Sequence, residues 1–141
     1  MRAAVLASLL VLVPAIAGAV PPFDVPHADR SPEVDGDRAV VTAAALGAPD
    51  ERLGRLSAVR LAARHEARAR ALRALHAWAD EAMAAVRACP REAVRVHEAI
   101  DRAASVAGVR AVVDGGAVVL VEVPLGALRE AAALTGVPWS G

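Results

Sequence analysis

Residues 105–124 read SVAGVRAVVDGGAVVLVEVP, and the fold turns on how this stretch is understood. Two β-branched runs, residues 105–113 and 116–123, flank Asp114-Gly115. An Asp-Gly pair tolerates the left-handed backbone of a tight turn, so the stretch reads as a β-hairpin. In the second run Ala117, Val119, Val121 and Val123 point one way, and Val118, Leu120 and Glu122 the other. Pro124 ends the run because it has no N–H to give a ladder.

The hairpin is preceded by helical sequence. Pro90 suits the first turn of a helix reaching about Ala104, with Val96, Ile100 and Ala103 toward a core. Before it, residues 51–88 contain no proline and are dominated by Ala, Leu and Arg, all strong helix formers. Asp50 is the expected N-cap. At 100° per residue Leu53, Leu56, Ala63, Ala67, Ala71, Ala74, Leu75, Trp78, Ala82 and Val86 fall in one sector. This stripe is built largely of alanine and fits a helix lying close on a sheet. Gly54 and Ser57 weaken its first turns. Residues 38–46 alternate as a strand stopped by Gly47 and Pro49, with Val40, Thr42, Ala44 and Leu46 opposite Val41, Ala43 and Ala45. Past the hairpin, residues 125–134 read as a short closing helix and residues 136–141 as a tail carrying Trp139. The expected fold is α+β: one long Ala/Arg-rich helix and shorter helices on one face of a small, mostly antiparallel sheet, a single domain over residues 38–135.

Residues 20–37 contain Pro21, Pro22, Pro26 and Pro32 and five acids, with little apolar period, and read as an extended, mobile arm. The start of the chain reads as an address. Met1-Arg2 is a short basic region, residues 3–13 are apolar, Pro14 breaks the run, and Ala15-Ile16-Ala17 and Ala17-Gly18-Ala19 both fit a small-x-small cleavage site. That is the layout of a secretory signal peptide over residues 1–19, cleaved after Ala19 or after Ala17. No membrane span is expected to remain after cleavage, and the mature protein is expected to be exported to the periplasm or to associate with the outer membrane. Cys89, the one cysteine of the chain, excludes an internal disulfide. In an oxidising compartment it is either a small buried thiol or the partner of an intermolecular disulfide.

Two segments carry a resemblance. The run Val41-Thr42-Ala43-Ala44-Ala45-Leu46-Gly47-Ala48-Pro49 precedes a helix spaced Arg64-x-x-Ala67-x-x-x-Ala71-x-Arg73-x-Leu75. The later strand reads Asp114-Gly115-Gly116-Ala117-Val118-Val119-Leu120-Val121-Glu122-Val123-Pro124-Leu125. Together they resemble the LPP20-type lipoprotein domain of bacterial envelope proteins, which is related to a domain of a flagellar assembly protein. The resemblance spans about residues 40–128. It implies an α+β envelope domain and brings no catalytic residues. Arg70 stands where members often carry an acid, and no lipobox cysteine is present, so the lipid anchor of many members does not carry over.

The composition hides a charge split. Of 141 residues, 36 are Ala and 16 are Arg, with no Lys, against 16 acids. Residues 20–51 hold seven acids and two Arg. Residues 52–73 hold seven Arg (Arg52, Arg55, Arg60, Arg64, Arg68, Arg70 and Arg73) and only Glu66. Such a run is either a solvated face, neutralised in part by the acidic segment, or a contact for an acidic envelope component or partner. Net charge near zero and only three aromatic residues (Phe23, Trp78, Trp139) argue against nucleic acid. His76 and Asp80, like His97 and Asp101, are four apart and can pair along one helix face. His65 and His76 lie near one face. A metal needs three or four converging ligands, so no metal or other cofactor is expected. No nucleophile elbow, phosphate loop or zinc-protease motif occurs. The leading expectation is a non-enzymatic exported envelope protein with a structural or interaction role. The alternatives are an acidic-ligand module using the Arg-rich helix, and an enzyme whose groups converge only in three dimensions.

Overall fold

A computed structural model describes residues 24–83 and 90–136 of the chain. Four strands, β1 (Arg30–Asp35), β2 (Val40–Gly47), β3 (Ser105–Ala111) and β4 (Ala117–Pro124), form one antiparallel sheet in the order β1-β2-β4-β3. Three helices, α1 (Leu56–Ala82), α2 (Pro90–Ala103) and α3 (Leu125–Thr135), complete the described α+β fold. The expected signal sequence, Val86, Cys89 and Trp139 lie outside the described residues.

β4 sits at the centre and keeps the expected alternation. Val119, Val121 and Val123 join Val41, Ala43 and Ala45 of β2 under the helices, while Val118 and Leu120 join Ala44 on the opposite face. β2 and β4 pair without a break from Val40↔Pro124 to Gly47↔Ala117. The hairpin joins β3 to β4, but its loop is longer than an Asp-Gly pair. The strands close at Ala111↔Ala117, and residues 112–116 turn through Gly115, whose φ is +93°. Val112 N donates to Gly116 O, Gly115 N to Val112 O, and Gly116 N to Asp114 Oδ1.

The expectation of a mobile arm is corrected here. Its second half is β1, an edge strand paired with β2 through Glu33↔Thr42, Val34↔Val41 and Asp35↔Val40. Its one large apolar side chain, Val34, is itself exposed, so no alternation is visible in the sequence. Pro32 is tolerated because it falls in an irregularity of an edge strand, between Arg30 and Glu33. Residues 24–29 form a strap tied to the sheet's other face. Val25 packs with Ala44, Val118 and Leu120, and Arg110 Nε donates to Val25 O over 2.7 Å. Gly108 makes room for it: a Cβ there would lie 2.4 Å from Val25 Cγ2.

The long helix is shorter than residues 51–88. Asp50 caps a 3₁₀ turn, Glu51–Leu53, and Gly54, at φ +66°, turns the chain before α1 begins at Leu56. The buried positions of α1 are Val59, Ala63, Ala67, Ala71, Leu75 and Ala79. Leu53 and Leu56, assigned to the buried sector from a fixed 100° projection, are exposed, and Val59 and Ala79 take their place. The true repeat is four residues where the helix turns in 3.6, so the buried line winds around α1 by about 40° per step. Its first half meets the sheet; its second half is shared with α2. Small side chains set the distance. A Cβ on Gly47 would stand 1.8 Å from Ala63 O, so β2 and the α1 backbone touch with no side chain between them. Leu75, Met83, Ile100 and Leu128 supply the largest buried side chains of the core. Trp78 is half-buried and packs against that core from its margin.

Candidate functional site

The flanks of α1 carry its chemistry. One residue beyond each buried position runs a parallel ridge, Arg60, Arg64, Arg68, Leu72, His76 and Asp80, with Leu56 one step ahead of it. Its C-terminal half is covered by α2. His76 Nε2 donates to Asp101 Oδ1 (2.9 Å), and His97 Nε2 donates to Asp80 Oδ1 (2.7 Å). The imidazoles stack with centroids 4.4 Å apart and planes 10° from parallel. The expected pairs within each helix are therefore exchanged for pairs between helices. Two copies of His-x-x-x-Asp on antiparallel helices place each His opposite the other's Asp, which the equal spacings already allowed. His65 is exposed and does not join them. Each imidazole is held by one carboxylate, and among the described residues no group of three or more His, Cys, Asp or Glu is placed to hold a metal.

The N-terminal half of the same ridge is bare. Arg60, Arg64 and Arg68 are exposed, and their guanidinium groups meet no carboxylate or carbonyl among the described residues. The same holds for Arg55 at the N-cap position and for Arg73. Arg73 lies on the side of α1 turned away from the buried line. Glu66, the lone acid of this stretch, faces away from the ridge and accepts from Ala48 N at 3.0 Å.

The seven arginines thus divide. Arg70 occupies the opposite flank and is committed to the fold. Its Nη1 donates to Leu46 O and its Nη2 pairs with Asp29 Oδ2 at 2.7 Å, while Asp29 Oδ1 accepts from Leu46 N. These contacts serve the end of β2 beyond the last β1 pair, Arg30↔Ala44, where the Leu46 N–H and C=O have no β1 backbone to pair with. Part of the acidic segment does neutralise the helix, but only at Arg70. Arg52 lies ahead of α1 and pairs with Asp50 at 3.0 Å. A hydrogen bond from the Arg52 side chain, then one from its backbone N–H, holds the Asp50 carboxyl below the ordinary aspartate range. The same contact raises Arg52.

Open concavities lie elsewhere among the described residues. One at the β1–β2 turn mixes Arg30 with Glu33, Asp35 and Asp37 around Thr42. Another runs between α2 and α3 past Arg102, Glu130 and Leu134. Ser105 Oγ reaches Glu122 Oε1 only at 3.5 Å, and Glu122 is engaged by Arg38 at 2.8 Å. Among the described residues the candidate site is the row of solvent-facing cations Arg60, Arg64 and Arg68.

The fold and site define a small α+β domain with three helices on one face of an antiparallel sheet and a basic ridge on its longest helix. No protein-family model, no curated protein and no solved structure matches the chain.

Proposed function

We propose that this domain is a non-enzymatic interaction module of an exported bacterial envelope protein, binding an acidic partner or envelope component through the basic ridge of α1. The observation that carries the reading is the contrast between the two flanks. Arg70 is fully used by Asp29 and Leu46, whereas Arg60, Arg64 and Arg68 stand in solvent without partners among the described residues. Arginine presents planar donors suited to carboxylates, and three at four-residue spacing offer about 12 Å of continuous positive surface. A binding role is favoured over catalysis because the titratable groups that do converge, the two His–Asp pairs, occupy one another. Export and an envelope setting rest on the layout of residues 1–19, and the LPP20-type resemblance supports the same reading.

Binding of polyglutamate to the purified protein, followed by fluorescence anisotropy, tests the proposal. Affinity should fall steeply as salt rises, because exposed charges are screened within a Debye length. It should fall at least about tenfold in Arg60→Glu/Arg64→Glu/Arg68→Glu. Binding that is indifferent to salt and to these substitutions would refute the ridge as the contact.

A further inference from the structure

The ridge has a neighbour that specifies how an acidic partner would sit. α1 begins above the β3–β4 turn, where Leu56 Cδ1 and Val59 Cγ1 lie 3.9 and 3.4 Å from the position of a Cβ on Gly115. Farther along, His76 holds Asp101 near the end of α2, and β3 starts four residues later at Ser105. The ridge between these anchors therefore runs alongside β3. The stretch from Leu56 to Arg68 rises about 18 Å and β3 about 20 Å, so the two are matched in length. α2 meets the ridge at His76 and Asp80. Alongside the N-terminal half of the ridge the helix side of β3 is open among the described residues, with Val106 at 47% and Val109 at 41% exposure, and Leu56 of α1 is 58% exposed.

β3 is also a sheet edge, pairing among the described residues with β4 alone. The opposite edge, β1, is blunted by Pro32, by its irregular pairing and by the charges of Arg30, Glu33 and Asp35. β3 has one irregularity, between Val106 and Gly108, and is regular from Gly108 to Ala111. An exposed edge next to valines and unpaired cations has the composition of a strand-addition site.

We infer that the edge of β3, unpaired among the described residues, accepts an extended acidic segment of a partner protein as a fifth strand, with its carboxylates under Arg60, Arg64 and Arg68. This rests on the proposed acidic-ligand reading and adds the mode of binding. Side chains on the helix side of the added strand alternate every second residue. Glutamate fits there: its stem covers Val106 and Val109, and its carboxylate reaches the ridge. A second copy of this chain is disfavoured as occupant, because a two-fold pairing of β3 edges would set the two arginine ridges against each other.

The test uses a fluorescein-labelled octapeptide of alternating Thr and Glu with the purified protein. Two further peptides carry the same charges but have backbone N-methyl groups on every Thr or on every Glu, removing the N–H groups of one edge. Strand addition predicts that the parent binds and that at least one methylated peptide binds about tenfold or more weakly. It also predicts that Arg60→Gln/Arg64→Gln/Arg68→Gln weakens the parent by a similar factor. Equal binding of all three peptides, still sensitive to the arginine substitutions, overturns strand addition and leaves the acidic-ligand reading standing. Strand addition is likewise overturned, and only strand addition, if polyglutamate binds through the arginines and the octapeptide does not. Failure of both polyglutamate and octapeptide removes the two together. Binding only to phosphatidylglycerol vesicles replaces the protein partner with a lipid surface and also overturns the inference.

Discussion

Gly47 shows how far a single residue can govern this molecule. It stands at the end of β2, and the backbone of α1 occupies the volume its side chain would need. Gly47→Ala must push helix and sheet apart or distort both. The expected loss is about 3 kcal/mol or more, toward or beyond the upper end of ordinary overpacking. Urea unfolding monitored by far-ultraviolet circular dichroism measures it, and a loss below about 1 kcal/mol would show that α1 can withdraw from β2 at little cost. A glycine in a sequence is usually taken for a turn or a stop. Here residues 47–49 do stop a strand, but the contact with Ala63 becomes evident only when a helix is placed on the sheet. Asp29 is similar: one carboxylate joins the strap to both the Leu46 backbone and Arg70, a bridge across 41 positions that no local pattern announces.

At the level of elements, legibility follows from how much of an element's stability is local. β4 is recognised from its own residues because it is buried on both faces and every side chain is apolar except Glu122. α2 and α3 are found within a residue of their expected ends, since Pro90, Pro124 and Gly136 mark them. β1 escapes notice because its pairing partner, β2, supplies nearly all of its order. A fixed 100° projection misplaces the first turn of α1's buried line because it cannot follow a stripe that winds toward two different partners. The His–Asp pairs are legible in composition and spacing but not in pairing. They also give the sharpest test of the α1–α2 interface. A double-mutant cycle on His97 and Asp80 is expected to show coupling of about 0.5–1 kcal/mol, within the range for partly exposed pairs. A cycle on His76 and Asp80, neighbours on one helix, is expected to show markedly less. Reversal of that order would mean that the two helices do not present these side chains to each other.

For the whole molecule, the asymmetry of the sheet is the main consequence of the chain order. Helices cover one face, the strap from residues 24–29 crosses the other, and the segment before the first strand is thereby built into the domain rather than left as an arm. If residues 1–19 are removed on export, the mature chain begins at Val20, four residues before the strap is engaged at Asp24 and Val25. N-terminal sequencing of the exported protein is expected to read Val20-Pro21-Pro22, or Gly18-Ala19 if cleavage follows Ala17. An intact Met1 on exported protein would contradict removal of a signal. The overall charge near zero conceals the arrangement that matters. Asp29 of the N-terminal segment neutralises one flank of α1 through Arg70, and the other flank keeps Arg60, Arg64 and Arg68 exposed without carboxylate partners among the described residues.

Backbone amide chemical shifts of the isotopically labelled protein, followed during titration with a glutamate-rich peptide, show whether an acidic chain seats between the α1 ridge and β3. The expected result is a contiguous set of shifts over residues 56–68 of α1 and 105–111 of β3, abolished in Arg60→Glu/Arg64→Glu/Arg68→Glu, with β1 and α3 unmoved. Shifts confined to β1 or α3, or none at all where polyglutamate binds, would contradict it.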